Sequence, residues 1–215
     1  MSRDDWFRRH TWTDTDRSDF FARLARSRSG FHKAQYALIQ AIELHQSGGP
    51  QYARPALDLL DMILERWQND AQLARVYHQR AVCLRDLGDD HRALAAFRAA
   101  FDEQRRRPGL LTMAHLDFAW WVAVSGKNEL YDEALAVLDE FEPGLLFPFY
   151  VYTAEGARAL IMSAVGDPQR ARGHARRALE AADARDTGLR CHPTVGLVEI
   201  RDYEAHEAIR RLASG

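Results

Sequence analysis

Lysine is almost missing from this 215-residue chain: of 29 basic residues, only Lys33 and Lys127 are lysines, and the rest are arginine. Such a bias fits a GC-rich coding sequence, or a need for the bidentate guanidinium fork that grips carboxylates and phosphates. Cysteine is equally scarce. Cys83 and Cys191 lie far apart and neither belongs to a Cys-x-x-Cys pair, so no metal or redox pair is suggested. Cys83 falls within an apolar helical pattern and reads as a small core residue. No stretch reaches the roughly 18 to 20 apolar residues of a membrane helix. The charged start, Met1 to Trp6, has no signal-peptide hydrophobic run, so a cytoplasmic location is expected. A net charge of −2 gives no long-range pull toward nucleic acid or an anionic membrane, so neither is expected as a partner.

Strand alternation with hairpin turns is also missing, and helical periodicity dominates. The clearest segment runs from Asp70 to Pro108. Tyr77, Ala81, Leu84 and Gly88 recur at helical spacing, and Leu87-Gly88-Asp89-Asp90 makes a turn. Ala93, Phe97 and Ala100 then share one face of a second helix. Small Ala81 and Ala93 allow two antiparallel helices to approach closely. Gly88 ends the first helix where a left-handed residue is needed, and Phe97 fills the wedge to the next pair. Weaker copies keep the same order. First-helix alanines Ala41, Ala81, Ala119 and Ala159 are spaced by 40, 38 and 40 residues. Second-helix alanines Ala56, Ala93, Ala134 and Ala171 are spaced by 37, 41 and 37.

This order of residues resembles the tetratricopeptide (TPR) repeat, specifically in the second copy and more loosely across about residues 31 to 185. Trp6-Phe7, the Phe20–Arg28 stretch, Gln35-Tyr36 and His192-Pro193-Thr194 are also similar to bacterial TPR-containing proteins without an assigned activity. The resemblance implies an all-α fold, a right-handed α-solenoid of about four helix pairs with flanking capping helices. A standard repeat has about 34 residues, so added length is expected at the turns Ser47–Tyr52 and Ser125–Leu130. The expected organisation is an aromatic-basic segment and capping helix over residues 1–30, a repeat array over 31–188, and a turn with a capping helix over 189–215. The first capping helix is expected from about Asp14 to Ser27. Asp167-Pro168 marks a helix start, and Pro143-Gly144 and Phe147-Pro148 mark breaks.

Motifs for catalysis are missing too. Ser125-Gly126-Lys127 lacks the upstream glycine and the following Ser or Thr of a phosphate loop. No G-x-S-x-G elbow occurs. The nine histidines never fall four apart on one helix, so no metal site and no cofactor are expected. His192-Pro193-Thr194 reads as a turn, with Thr194 able to cap the segment after it, rather than as a catalytic base. The acidic stretch Glu129–Glu142 and the clusters Arg105-Arg106-Arg107 and Arg170, Arg172, Arg176, Arg177 read as solvated faces.

The expected function is therefore not enzymatic. It is a protein-protein interaction module, an adaptor or scaffold that binds a protein or peptide in a concave groove. An immunity-type inhibitor of a toxin enzyme is the alternative, and an enzyme with an unrecognised site ranks behind both. Helix phase separates packing positions from groove positions. It assigns Gln35, Leu38 and His45 to the groove in the first pair, and Arg75, His78 and Arg85 in the second. In the third it assigns Met113, Leu116 and Trp120, with Trp120 equally readable as core. The same phase places Thr153, Gly156, Leu160 and Ser163 on that face in the fourth pair. The terminal segments could fill such a groove.

Overall fold

The computed structural model describes residues 5–48, 50–68, 70–141, 147–187, 189–200 and 202–215. Among these residues the chain is all-helical, with ten α-helices and no strand. None of the helices is long and apolar enough to cross a membrane. The chain divides into two compact units, Met1–Ala114 and His115–Gly215.

The first unit holds α1 (Asp14–Ala25), α2 (Gly30–Gly48), α3 (Pro50–Arg66), α4 (Leu73–Asp86) and α5 (Asp90–Arg106). Adjacent helices pack in order, and α2 also touches α4. A capping box starts α1: the Thr13 hydroxyl accepts from the Asp16 N–H, and the Asp16 carboxylate accepts from the Thr13 N–H. The preceding aromatic-basic segment folds onto α2. Trp6 sits between Phe20 and Tyr36, with ring centroids 5.5 and 5.0 Å away. Gln40, fully buried on α2, exchanges two hydrogen bonds with the Arg9 main chain, at 3.1 and 2.8 Å. The Arg9 side chain reaches Asp16 at 2.9 Å and also pairs with Asp19.

The second unit holds α6 (Ala114–Val124), a single 3-10 turn (Asn128–Leu130), α7 (Tyr131–Glu140), α8 (Pro148–Ala164), α9 (Pro168–Ala182) and α10 (Tyr203–Ser214). Helix α8 lies at the centre of this unit, with Tyr152 through Ala159 all buried. It packs against α7, α9 and α10. The tail before α10 returns to the start of α8, where the Phe149 N–H donates to the Gly196 carbonyl at 2.9 Å.

Three turns share one construction. Gly88, Gly126 and Gly166 have φ of 76°, 62° and 83°. After each, an N–H bonds back to the carbonyl five residues earlier: Asp89 to Leu84, Lys127 to Val122 and Asp167 to Met162, at 2.9, 3.1 and 2.9 Å. This is the bond that satisfies an orphan helix-end carbonyl. All eight alanines of the spacing frame are at 0% exposure. A methyl group there leaves room for close helix approach, and a larger side chain would force the helices apart.

Several expectations need correction. Among the described residues, the connection around Ser47–Tyr52 shows no added loop: α2 runs to Gly48 and α3 starts at Pro50. The extra length is taken up by the helices themselves, of 19 and 17 residues. Helix α1 does run from Asp14, as expected, and ends at Ala25 with Arg26 as its cap. The terminal helix is capped by Asp202, accepting from the Ala205 N–H at 3.0 Å. Asp167 and Pro168 do start α9, and Phe147-Pro148 starts α8. Pro143-Gly144 lies outside the described residues.

Candidate functional site

The residues assigned to a groove by helix phase fall into three settings. Leu38 (4% exposed) and Leu116 (2%) are core residues, which removes them from any exposed surface. The phase argument gave each helix one packing face, but α2 is packed by α1, α3 and α4 together. Gln35 and Arg75 are exposed. His78 is half-buried with its ring 6.4 Å from that of Phe97.

His45 and Arg85 meet in one polar cluster that ties α2 to α4. The Gln79 amide donates to His45 Nδ1 at 3.1 Å, which makes Nε2 the protonated nitrogen. That Nε2–H donates to Asp86 Oδ2 at 2.8 Å. Arg85 holds the other oxygen of Asp86, also at 2.8 Å. Burial alone would raise the Asp86 pKa, but the His45 bond and the Arg85 charge outweigh it and hold the carboxyl below its ordinary value. Sequence reasoning missed Gln79 and Asp86. Their spacing of seven puts them on one face of α4, and that was the available signal.

Met113 lies on a different surface, close in sequence to a tied-down loop. Leu110, Leu111 and Met113 are 38%, 45% and 39% exposed. A depression of about 270 Å³ is lined by Ala71, Ala74, Arg75, Gly109, Leu110 and Leu111. The loop is held from beneath by Gln104, which is fully buried and accepts from the Thr112 N–H at 2.9 Å and from its hydroxyl. Arg107 pairs with Asp70 near the start of α4. These apolar side chains thus project from a backbone fixed at both ends, and Arg75 beside them has no ion-pair partner among the described residues.

Trp120 belongs to the second unit and is half-buried. Its ring lies 5.7 Å from that of Tyr152. Gly156 sits beneath it: a Cβ there would come within 2.8 Å of the Trp120 ring and 2.9 Å of Ile209 of α10. The α8 face that phase left open at Thr153 and Gly156 is therefore covered, by Trp120 and by the terminal helix. Ser163, further along, is exposed. Tyr152 bonds His206 of α10 through its hydroxyl at 3.1 Å.

An ionic cluster built around buried Glu155 and Arg158, with members on α7, α8 and α9, had no sequence signal beyond its charges. Glu155 Oε2 lies 3.0 Å from His174 Nδ1 and 2.5 Å from Arg177 Nε. Arg158 lies 3.4 Å from Glu155 Oε1 and 2.7 Å from Asp139. Burial pushes the Glu155 pKa up, but the bonds from His174 and Arg177 outweigh burial and hold it below the ordinary value. A carboxylate held below its ordinary value by bonds from its neighbours is a poor proton acceptor near neutral pH. Its placement makes it a tie between helices. Two of the basic clusters are likewise engaged by local carboxylates: Arg105 by Asp102, Arg106 by Glu103, Arg170 by Asp167. Among the described residues, no three of His, Cys, Asp and Glu are grouped to hold a metal ion.

The chain is thus an all-helical protein of packed sequential helices. No family model, curated protein or solved structure matches it.

Proposed function

We propose that the protein is a cytoplasmic, TPR-like adaptor or scaffold that binds a protein or peptide, and that the loop carrying Leu110, Leu111 and Met113, with Arg75 beside it, is the contact surface. One observation carries this reading. Three large apolar side chains are exposed on a loop whose main chain is anchored by Gln104 and Arg107. Exposed apolar groups in a cluster mark interaction surfaces, whereas scattered ones do not. A fixed backbone also lowers the ordering cost of association. Arg75, with no ion-pair partner among the described residues, adds a charge at the edge suited to an acidic group on the partner. The repeated Gly turns and the buried alanine frame support the TPR-like build.

The test is site-specific photo-crosslinking in extracts of the source cells. A benzophenone side chain replaces Leu111 in one variant and Glu180, exposed on α9, in a control. The expected result is a discrete adduct from position 111 only, reduced at least tenfold by Arg75→Glu. Equal labelling from both positions, or no adduct from 111, would overturn the proposal.

A further inference from the structure

A second surface of the first unit has a chemistry of its own. A cavity of about 490 Å³ is lined by Phe21, Leu24 and Ala25 of α1, Lys33 of α2, and Met62, Arg66 and Trp67 at the end of α3. The volume lies in the range of small-molecule sites. Trp67 closes one side. Its Cδ1 lies 3.7 Å from where a Cβ on Gly30 would stand, so its ring rests on the first turn of α2. Lys33 lies within the same turn.

Among the described lining residues, the polar side-chain groups are the Lys33 ammonium, the Arg66 guanidinium and the Trp67 indole N–H. Among the described residues, no Ser, Thr, Asn, Gln or carboxylate lines the cavity. A peptide laid into it would bury amide groups against Phe21, Leu24, Ala25 and Met62 with nothing to bond, at a cost for every unpaired group. A ligand that suits the lining has an apolar body and carries its polarity at one end. The charge at that end is set by the two cations. Neither Lys33 nor Arg66 has a carboxylate partner among the described residues. The first turn of α2 holds no acidic residue either. A lysine beside the positive end of a helix is ordinarily unfavourable, and an anion bound there would relieve it.

We infer that this cavity between α1, α2 and α3 is a binding site for a small amphipathic anion, an alkyl or aryl body ending in a carboxylate or a phosphate. Phe21, Leu24, Met62 and Trp67 hold the body, and Lys33 and Arg66 hold the head. The site is separate from the loop surface proposed above and does not depend on it.

The full chain is titrated with octanoate, octyl phosphate and 1-octanol. Binding is followed by calorimetry and by the indole N–H resonance of Trp67, assigned with Trp67→Phe. The expected result is that at least one of the two anions binds tenfold or more tightly than the alcohol while shifting the Trp67 resonance. The tighter anion identifies the head group. Lys33→Gln with Arg66→Gln changes two groups at the surface of the fold, and should weaken the anion at least tenfold while leaving octanol unchanged. Circular dichroism of the double variant matching wild type excludes misfolding as the cause. The inference is overturned if octanol binds as tightly as both anions. It is also overturned if the folded double variant keeps wild-type affinity for the anion, or if millimolar ligand leaves Trp67 unmoved.

Discussion

Gly88 has a φ of 76° with nothing within 4 Å of where its Cβ would stand. The cost of any side chain there is thus purely one of backbone conformation, free of steric neighbours. Gly88→Ala should lose about 1 kcal/mol, and Gly88→Val about 1 to 2 kcal/mol, because a β-branched residue is poorly accommodated at positive φ. Urea denaturation of the two variants checks both size and order. A Val variant no less stable than the Ala variant would contradict the backbone account. The two cysteines make an independent comparison. Cys83 is buried, and burial pushes its thiol up to about 12 despite a contact from Gln79. Cys191 is exposed. Since the thiolate is the reactive form, a thiol reagent should label one cysteine rapidly in the folded protein and the second only on unfolding. Cys191→Ser should abolish the fast phase. Fast labelling that survives in Cys191→Ser would place Cys83 within reach of solvent.

At the scale of helices, the sequence was most informative where one residue type answers one geometric need. The alanine spacing located close-approach positions, all of them buried, and glycine after Leu87 located a helix end. Those signals are local, so periodicity alone carries them. It failed where a helix is packed on several sides. Leu38 on α2 and Thr153 and Gly156 on α8 look like a second, open face in a two-helix picture. Yet α2 is packed by three helices and α8 is buried along Tyr152–Ala159. The cover over α8 comes partly from α10, some fifty residues along the chain, and no spacing rule reports such a contact. The ionic cluster at Glu155 was illegible for the same reason, since Asp139, Glu155, Arg158, His174 and Arg177 come from three helices. The packing over α8 is itself testable. A Cβ at Gly156 would press on Trp120 at 2.8 Å and Ile209 at 2.9 Å. Gly156→Ala should therefore destabilise by about 1 to 3 kcal/mol, the usual cost of overpacking, even though alanine favours helix. Trp120→Leu should lower the melting temperature alone, yet cost less when Gly156 is already alanine, since residues in contact couple. Strict additivity in that double-mutant cycle would show that the ring does not rest on Gly156.

Over the whole molecule, the depressed carboxylates set how stability responds to acid. Burial works against ionisation of Asp16, but bonds from the Thr13 side chain and main chain, from Thr11 and from Arg9 outweigh it and bring the carboxyl down from 3.8 to about 2. Asp86 in the first unit and Glu155 in the second are lowered likewise, each despite burial. A carboxyl with a folded pKa below its unfolded value binds fewer protons when folded, so stability rises with pH through that interval. The contribution is fully present above the ordinary carboxylate value. It is lost as pH falls through the lowered one, which for Asp16 means from about 4 toward 2. Both units carry such a group, so acid should weaken both, with the urea midpoint flat from pH 7 to 5 and falling steeply below 4. Glu155→Gln separates this effect from general charge repulsion. It removes one carboxylate from Arg158, whose side chain is 7% exposed, and leaves the Asp139 carboxylate in place. The variant should lose about 3 kcal/mol at pH 7, the lower end for removing one partner of a buried pair. Because glutamine cannot titrate, its deficit relative to wild type should shrink as the pH drops below 4. A constant gap between the two proteins from pH 7 down to pH 3 would show that Glu155 is not held ionised by its partners and contributes packing alone.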